Sequence, residues 1–131
     1  MPRIGHTKAA VATANTNRDG SGTVELIHTV ENVQGEYIDN IAVRSLGTNV
    51  ATVAAVIGTN GAGLANPRNN WLMGTASLES STLGTYAATD NVTIAIGAWL
   101  DPGTEIYALV HHAQAAGRQF VAYSDPTYQV Y

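Results

Sequence analysis

Val92-Thr-Ile-Ala-Ile-Gly-Ala-Trp-Leu-Asp-Pro-Gly-Thr-Glu-Ile-Tyr-Ala-Leu-Val-His-His112 reads as two strands and the turn between them. Over Val92–Leu100, Val92, Ile94 and Ile96 alternate with Thr93, Ala95 and Gly97. Over Thr104–His112, Ile106, Ala108 and Val110 alternate with Glu105, Tyr107 and Leu109. A period of two places alternate residues on opposite faces, which suits a strand with a buried side. Asp101-Pro-Gly103 marks the turn, because proline fixes φ and glycine accepts a positive one.

Working outward, β-type segments recur between turn clusters. Lys8–Ala14 is short and small-residued, and Asn15-Thr-Asn-Arg-Asp-Gly-Ser-Gly22 follows as a hairpin turn around Asp19-Gly20. Thr23–Val30 sets Val24, Leu26, His28 and Val30 on one face and Glu25, Ile27 and Thr29 on the other. After the turn Gln34-Gly-Glu36, Tyr37–Ser45 aligns Ile41 with Val43. Ile38 is out of phase with that pair, which predicts a β-bulge near Asp39-Asn40.

Val50–Thr59 is almost continuous in Val, Ala and Ile and reads as a strand covered on both faces. Trp71–Leu78 and Arg118–Tyr123 are further strands, with long connections over 59–70 and 79–91. The count is about eight strands with no helix between them. The expected fold is one all-β domain over 1–131, an antiparallel two-sheet sandwich of jelly-roll type, with an immunoglobulin-like sandwich as the alternative. A short N-terminal arm over 1–8 and a C-terminal tail over 124–131 complete it.

Composition agrees and excludes several functions. Of 131 residues, 45% are hydrophobic and only 12% charged, so the chain is too apolar for a disordered segment. Ala, Val, Thr, Gly and Asn dominate, Phe120 is the only phenylalanine and Lys8 the only lysine, a set that favours strands and turns over solvated helices. The net charge of −4 has the wrong sign for binding a phosphate backbone. No apolar run reaches the ~20 residues of a membrane-spanning helix, and Met1–Ala10 carries Arg3, His6 and Lys8 where a secretory signal needs apolar residues. A soluble chain made in a cytoplasm is the expectation.

Chemistry-bearing patterns are sparse. With no cysteine there is neither a disulfide nor a thiolate nucleophile. Asn15, Asn17, Asp19 and Gly20 imitate the start of a calcium loop, but the twelfth position is Leu26 and Glu25 stands one residue early. His111 and His112, as strand neighbours, would face opposite ways and not chelate one ion. No Gly-x-Ser-x-Gly elbow occurs, the five Asp and five Glu are scattered singly, and Thr59-Asn-Gly-Ala-Gly63 lacks the helix and Lys-Ser/Thr of a phosphate loop. These patterns support no enzyme, no cofactor and no metal site. Trp71, Trp99, Tyr107, Tyr123, Tyr128 and Tyr131 suit either core edges or an interface, and so few charges point to surface hidden in an assembly.

Several segments carry a resemblance. Ala14-Asn-Thr-Asn-Arg-Asp-Gly-Ser-Gly-Thr23, then Ile38, Ile41, Val43 and Leu46-Gly-Thr48, then Leu100-Asp-Pro-Gly-Thr104, Ile106-Tyr-Ala108 and Ala115-Ala-Gly-Arg-Gln-Phe-Val-Ala122 resemble the small β-rich virion proteins of tailed bacteriophages. The resemblance spans most of the chain and implies a capsid cement or decoration protein, a jelly-roll-like homotrimer seated on the outside of the shell, with the major capsid protein as partner. Under it, the expected capsid or subunit contacts are Arg3 and Lys8 of the arm, Asn60, Arg68 and Trp71 at the 60–70 loop, and Tyr128 and Tyr131 of the tail. Two other readings stay open: a tail-fibre or baseplate module stacking host glycans on Trp71, Tyr86 or the C-terminal tyrosines, and a cupin-like metal or lectin domain.

Overall fold

The computed structural model describes residues 4–17, 19–60, 67–81 and 92–124. Eight strands follow one another: β1 (Ile4–Val11), β2 (Glu25–Thr29), β3 (Glu36–Ser45), β4 (Thr52–Thr59), β5 (Asn70–Leu78), β6 (Val92–Leu100), β7 (Glu105–Val110) and β8 (Arg118–Ser124). One 3-10 turn, Pro67–Asn69, precedes β5. Among the described residues no helix is long and apolar enough to cross a membrane. The first strand begins four residues before the expected Lys8, so Ile4–Lys8 is paired strand and not part of a free arm. Residues 1–3 and 125–131 lie outside the described residues.

The strands form two antiparallel sheets of four, β1-β8-β3-β6 (sheet I) and β2-β7-β4-β5 (sheet II). Within them β1 pairs with β8, β2 with β7, β3 with β6 and β4 with β5. The first four strands thus meet the last four in reverse order. Such a chain is one long hairpin, with β4 and β5 as its innermost pair, rolled so that successive pairs fall in opposite sheets, which is the jelly roll. The expected all-β, two-sheet sandwich is therefore the observed one.

Alternation supplies the core. Ile38, Ile41 and Val43 of β3, Ile94 of β6 and Phe120 and Ala122 of β8 face Ile27, Ala54, Val56, Ile106, Ala108 and Val110 of sheet II. Every one of them is at most 3% exposed, and each large side chain so buried is worth about 1.5–3 kcal/mol. The expected bulge in β3 is present: pairing with β8 runs from Ile38↔Ser124 to Asn40↔Tyr123, leaving Asp39 as the extra residue. That extra residue lets Ile38 and Ile41 point into one core although an odd number of positions separates them.

A second bulge corrects the reading of Thr23–Val30. Pairing of β2 with β7 shifts between Leu26 and His28, so Ile27 turns inward and is fully buried while Leu26 turns outward and is 37% exposed. Val24 and Leu26 therefore share the outer face, and His28 and Val30 the inner, where an unbroken alternation would have kept all four together.

The strand expected to be covered on both faces is covered on both. From the inner face of β4, Ala54 and Val56 join the main core. From its outer face, Ala55 and Ile57 form a second cluster with Leu109 and Val24. The 15–23 connection lies over that outer side: the Asn15 N–H donates to the Val110 carbonyl at 2.8 Å, and Asn70 Nδ2 donates to the Asp19 carbonyl at 2.8 Å. This corrects the hairpin-turn reading of 15–22, because β1 and β2 belong to different sheets and the segment crosses between them.

Candidate functional site

Connections gather at the two ends of the sandwich, and the two ends differ. At the first end the connections after β1, β3, β5 and β7 are fastened by buried polar side chains. Asn49 Nδ2 donates to Ser45 Oγ and to the Gly117 carbonyl, both at 2.8 Å, and Oδ1 accepts the N–H groups of Ala116 and Gly117 at 2.9 and 3.0 Å. Its backbone exchanges two hydrogen bonds with Ser81.

Beside it Arg118 is wholly buried. Its Nε donates to Gln114 Oε1 at 2.9 Å and its Nη2 to the carbonyls of Glu79 and Val50 at 2.7 and 3.2 Å. A buried guanidinium is tolerable only when its donors are satisfied, so these contacts fix the loops around it. Gln114 N–H donates in turn to the Ala12 carbonyl at 2.8 Å, which ties in the fourth connection. The 15–23 loop is fastened in the same way, with Asn15 Nδ2 donating to the carbonyls of Ser21 and Thr23 at 3.0 and 2.8 Å and Oδ1 accepting the Asn17 N–H at 2.9 Å. The amide of the imitation calcium loop is thus committed to its own backbone, and among the described residues no three His, Asp or Glu side chains converge on a common point.

The opposite end holds three of the expected contact residues. The Asn60 N–H donates to the Asn69 carbonyl at 3.3 Å and Asn60 Nδ2 to Asn69 Oδ1 at 3.2 Å, closing the base of the 60–70 loop. Arg68 is exposed on the 3-10 turn and Trp71 opens β5. Trp71 is 41% exposed, and its indole lies over Gly58, its cross-strand partner, where a Cβ would stand 2.6 Å from Cζ2. Asn60, Arg68 and Trp71 are thereby brought to one end of the β4–β5 pair.

The other expected contacts are not brought to this place. Lys8 falls at the register shift of β1, between Thr7 and Ala9. β1 and β5 are edge strands at opposite lateral sides of the sandwich, so the strand that carries Lys8 is far from the one that carries Trp71. Arg3, Tyr128 and Tyr131, and Tyr86 of the glycan reading, lie outside the described residues.

Next to Trp71 the structure adds residues that periodicity did not single out. Leu26 pairs with Tyr107, Tyr107 with Ile57 and Ile57 with Leu72, which makes one apolar row across the outer face of sheet II. Its ends, Leu26 and Leu72, are 37% and 43% exposed, whereas Ile57 is buried. Tyr107 donates from Oη to Glu105 Oε1 at 3.3 Å. Burial, and then the charge of Glu105, hold its phenol above the ordinary range. The signal that separates Leu26 and Leu72 from core leucines is the bulge beside each, at Ile27 and at Met73, and a bulge leaves little trace in a sequence.

The histidines divide. His28 is buried, with Nε2 2.9 Å from Glu36 Oε2. His111 and His112 lie beyond the end of β7 and not on the strand, and Thr52 Oγ1 accepts the His112 N–H at 2.9 Å. No protein-family model, no curated protein and no solved structure matches this chain.

Proposed function

We propose that this chain is a viral structural protein, a capsid cement or decoration protein that binds the outside of a phage head shell and stabilises it, acting as a homotrimer on the major capsid protein. The observation that carries this reading is the exposed apolar pair Leu26 and Leu72 at the two ends of one row on the outer face of sheet II, with Trp71 exposed on the other face of β5 near Asn60 and Arg68, in a chain with only 12% charged residues. Apolar surface of this kind, rimmed by polar groups, marks a face that another protein covers. The clamped loops at the other end support the same role, because a stiff domain loses little freedom on docking. Many copies acting together then turn modest contacts into tight retention, and a threefold shell position selects a trimer.

The test is the copy number of the chain in purified particles, measured by quantitative mass spectrometry against the major capsid protein. Hundreds of copies in a simple ratio to the shell subunit are expected. A few to some tens would move the chain to the tail or fibres, and absence from particles would overturn the assignment to a virion.

A further inference from the structure

Three aromatic side chains stand on the outer face of sheet I. Tyr37 and Trp99 face each other across β3 and β6, and Tyr123 faces Asn40 across β8 and β3. Their strand neighbours Ile38, Ala98, Leu100 and Ala122 belong to the core, so alternation turns the three outward, and all are half-buried.

Each aromatic group lies against a glycine. A Cβ on Gly5 would stand 3.0 Å from Tyr123 Cε1, one on Gly35 would stand 2.7 Å from Trp99 Nε1, and one on Gly97 would stand 3.6 Å from Tyr37 Oη. A glycine thus stands beside the ring of Tyr123 and the indole nitrogen of Trp99, where a Cβ would crowd them, and beside the hydroxyl of Tyr37. Hydrogen-bonding groups interleave with them: Asn40 Nδ2 donates to Asp39 Oδ2 at 2.8 Å, and the exposed Arg44 donates from Nη2 to Tyr123 Oη at 3.4 Å. On β6, Thr93 and Ala95 are small and exposed, so the face stays shallow there.

We propose that this face is a binding site for neutral oligosaccharides. The C–H face of a pyranose is apolar and faintly positive and fits the negative face of an aromatic ring. Its hydroxyls both donate and accept, which matches the amide of Asn40, the carboxylate of Asp39 and the guanidinium of Arg44. Among the described side chains the face carries one acid, Asp39, and one base, Arg44, a balance that favours an uncharged ligand over a phosphorylated or sulfated one. The site lies on sheet I and the shell contact on sheet II, so the inference stands apart from the decoration role.

The experiment titrates the full chain with soluble hexasaccharides of glucose, mannose, galactose and N-acetylglucosamine, followed by tryptophan fluorescence and calorimetry. Saturable binding of at least one is expected with Kd from roughly 0.1 mM to a few mM, the range for a shallow open face. Tyr123→Ala and Tyr37→Ala should each weaken it about tenfold, the share of one stacking platform. Tyr123→Phe, which keeps the ring, should retain it. Should either alanine variant fail to fold, Arg44→Ala carries the test: the side chain is exposed, and its loss should weaken binding about threefold. Leu46→Ser, at the far loops, should change nothing. Absence of saturable binding by all four sugars, or binding unaltered in both Tyr123→Ala and Arg44→Ala, overturns the proposal.

Discussion

The side-chain amide of Asn49 pairs with the backbone of Gly117 as a neighbouring strand would, Nδ2 donating to the carbonyl at 2.8 Å and Oδ1 accepting the N–H at 3.0 Å. Asn49 is 3% exposed, and Gly117 holds φ at 91°, where a side chain would be strained. The β3–β4 connection and the β7–β8 turn are therefore joined by one residue.

Replacing it tests that joint. Asn49→Ala leaves the backbone of Ala116 and Gly117 without these partners in a buried place, and each orphaned group costs on the order of 1–3 kcal/mol. A loss of about 3 kcal/mol is expected, read as a lower urea midpoint at unchanged slope. A loss under about 1 kcal/mol would mean that water replaces the amide and the clamp is not structural.

Trp71 and Gly58 form the second test. Trp71→Ala removes an indole that is 41% exposed and outside the main core, so the domain should stay cooperative in thermal unfolding while binding to undecorated shells falls. Arg68→Ala, on the exposed 3-10 turn, should weaken the same binding by a smaller factor. Gly58→Ala brings a Cβ to 2.6 Å from the indole and 2.9 Å from Met73 Sδ. It should displace Trp71, cost about 1–3 kcal/mol and change the near-ultraviolet dichroism. Shell binding unchanged in Trp71→Ala would exclude this end of the molecule as the contact.

Deletion of Asp39 should be far more damaging than any substitution there. With the extra residue gone, Ile38 and Tyr37 exchange faces relative to Ile41 and Val43, which drives an aromatic inward and a core isoleucine out. Loss of cooperative unfolding or of soluble protein is the expected result, whereas Asp39→Ala should fold. A stable deletion variant would show that the register is set elsewhere.

Two groups give the stability a defined pH dependence. Tyr107 has its folded pKa raised above the ordinary 10.0, by burial first and by Glu105 second, so its contribution is complete below pH 10.0 and disappears as pH climbs through the folded value. Tyr107→Phe should flatten the alkaline fall in urea midpoint. Asp19 has its folded pKa lowered below 3.8, chiefly because its carboxylate accepts hydrogen bonds from Ser21 Oγ and N–H. Its contribution is complete above pH 3.8 and disappears as pH falls through the folded value, so its carboxyl resonance should titrate below the ordinary 3.8.

The sequence by itself determined the strands, the absence of α-helix between them among the described residues and the bulge at Asp39, because these rest on a period of two, on turn residues and on one break in phase. It also showed that β4 is covered on both sides, since an unbroken apolar run has no face to spare for water. What covers β4 was decided by tertiary structure, as was the turn over 15–22 becoming a crossing between sheets. Strand pairing depends on contacts far apart in the chain, which no local pattern encodes. The same holds for Leu26 and Ile27, exchanged by a bulge, and for Arg118, an arginine whose burial depends on carbonyls from residues 50 and 79 arriving around it. Of the expected contacts, Asn60, Arg68 and Trp71 meet because β4 and β5 are neighbours in one sheet. Lys8 stands apart from them because rolling the hairpin sends β1 to the other edge.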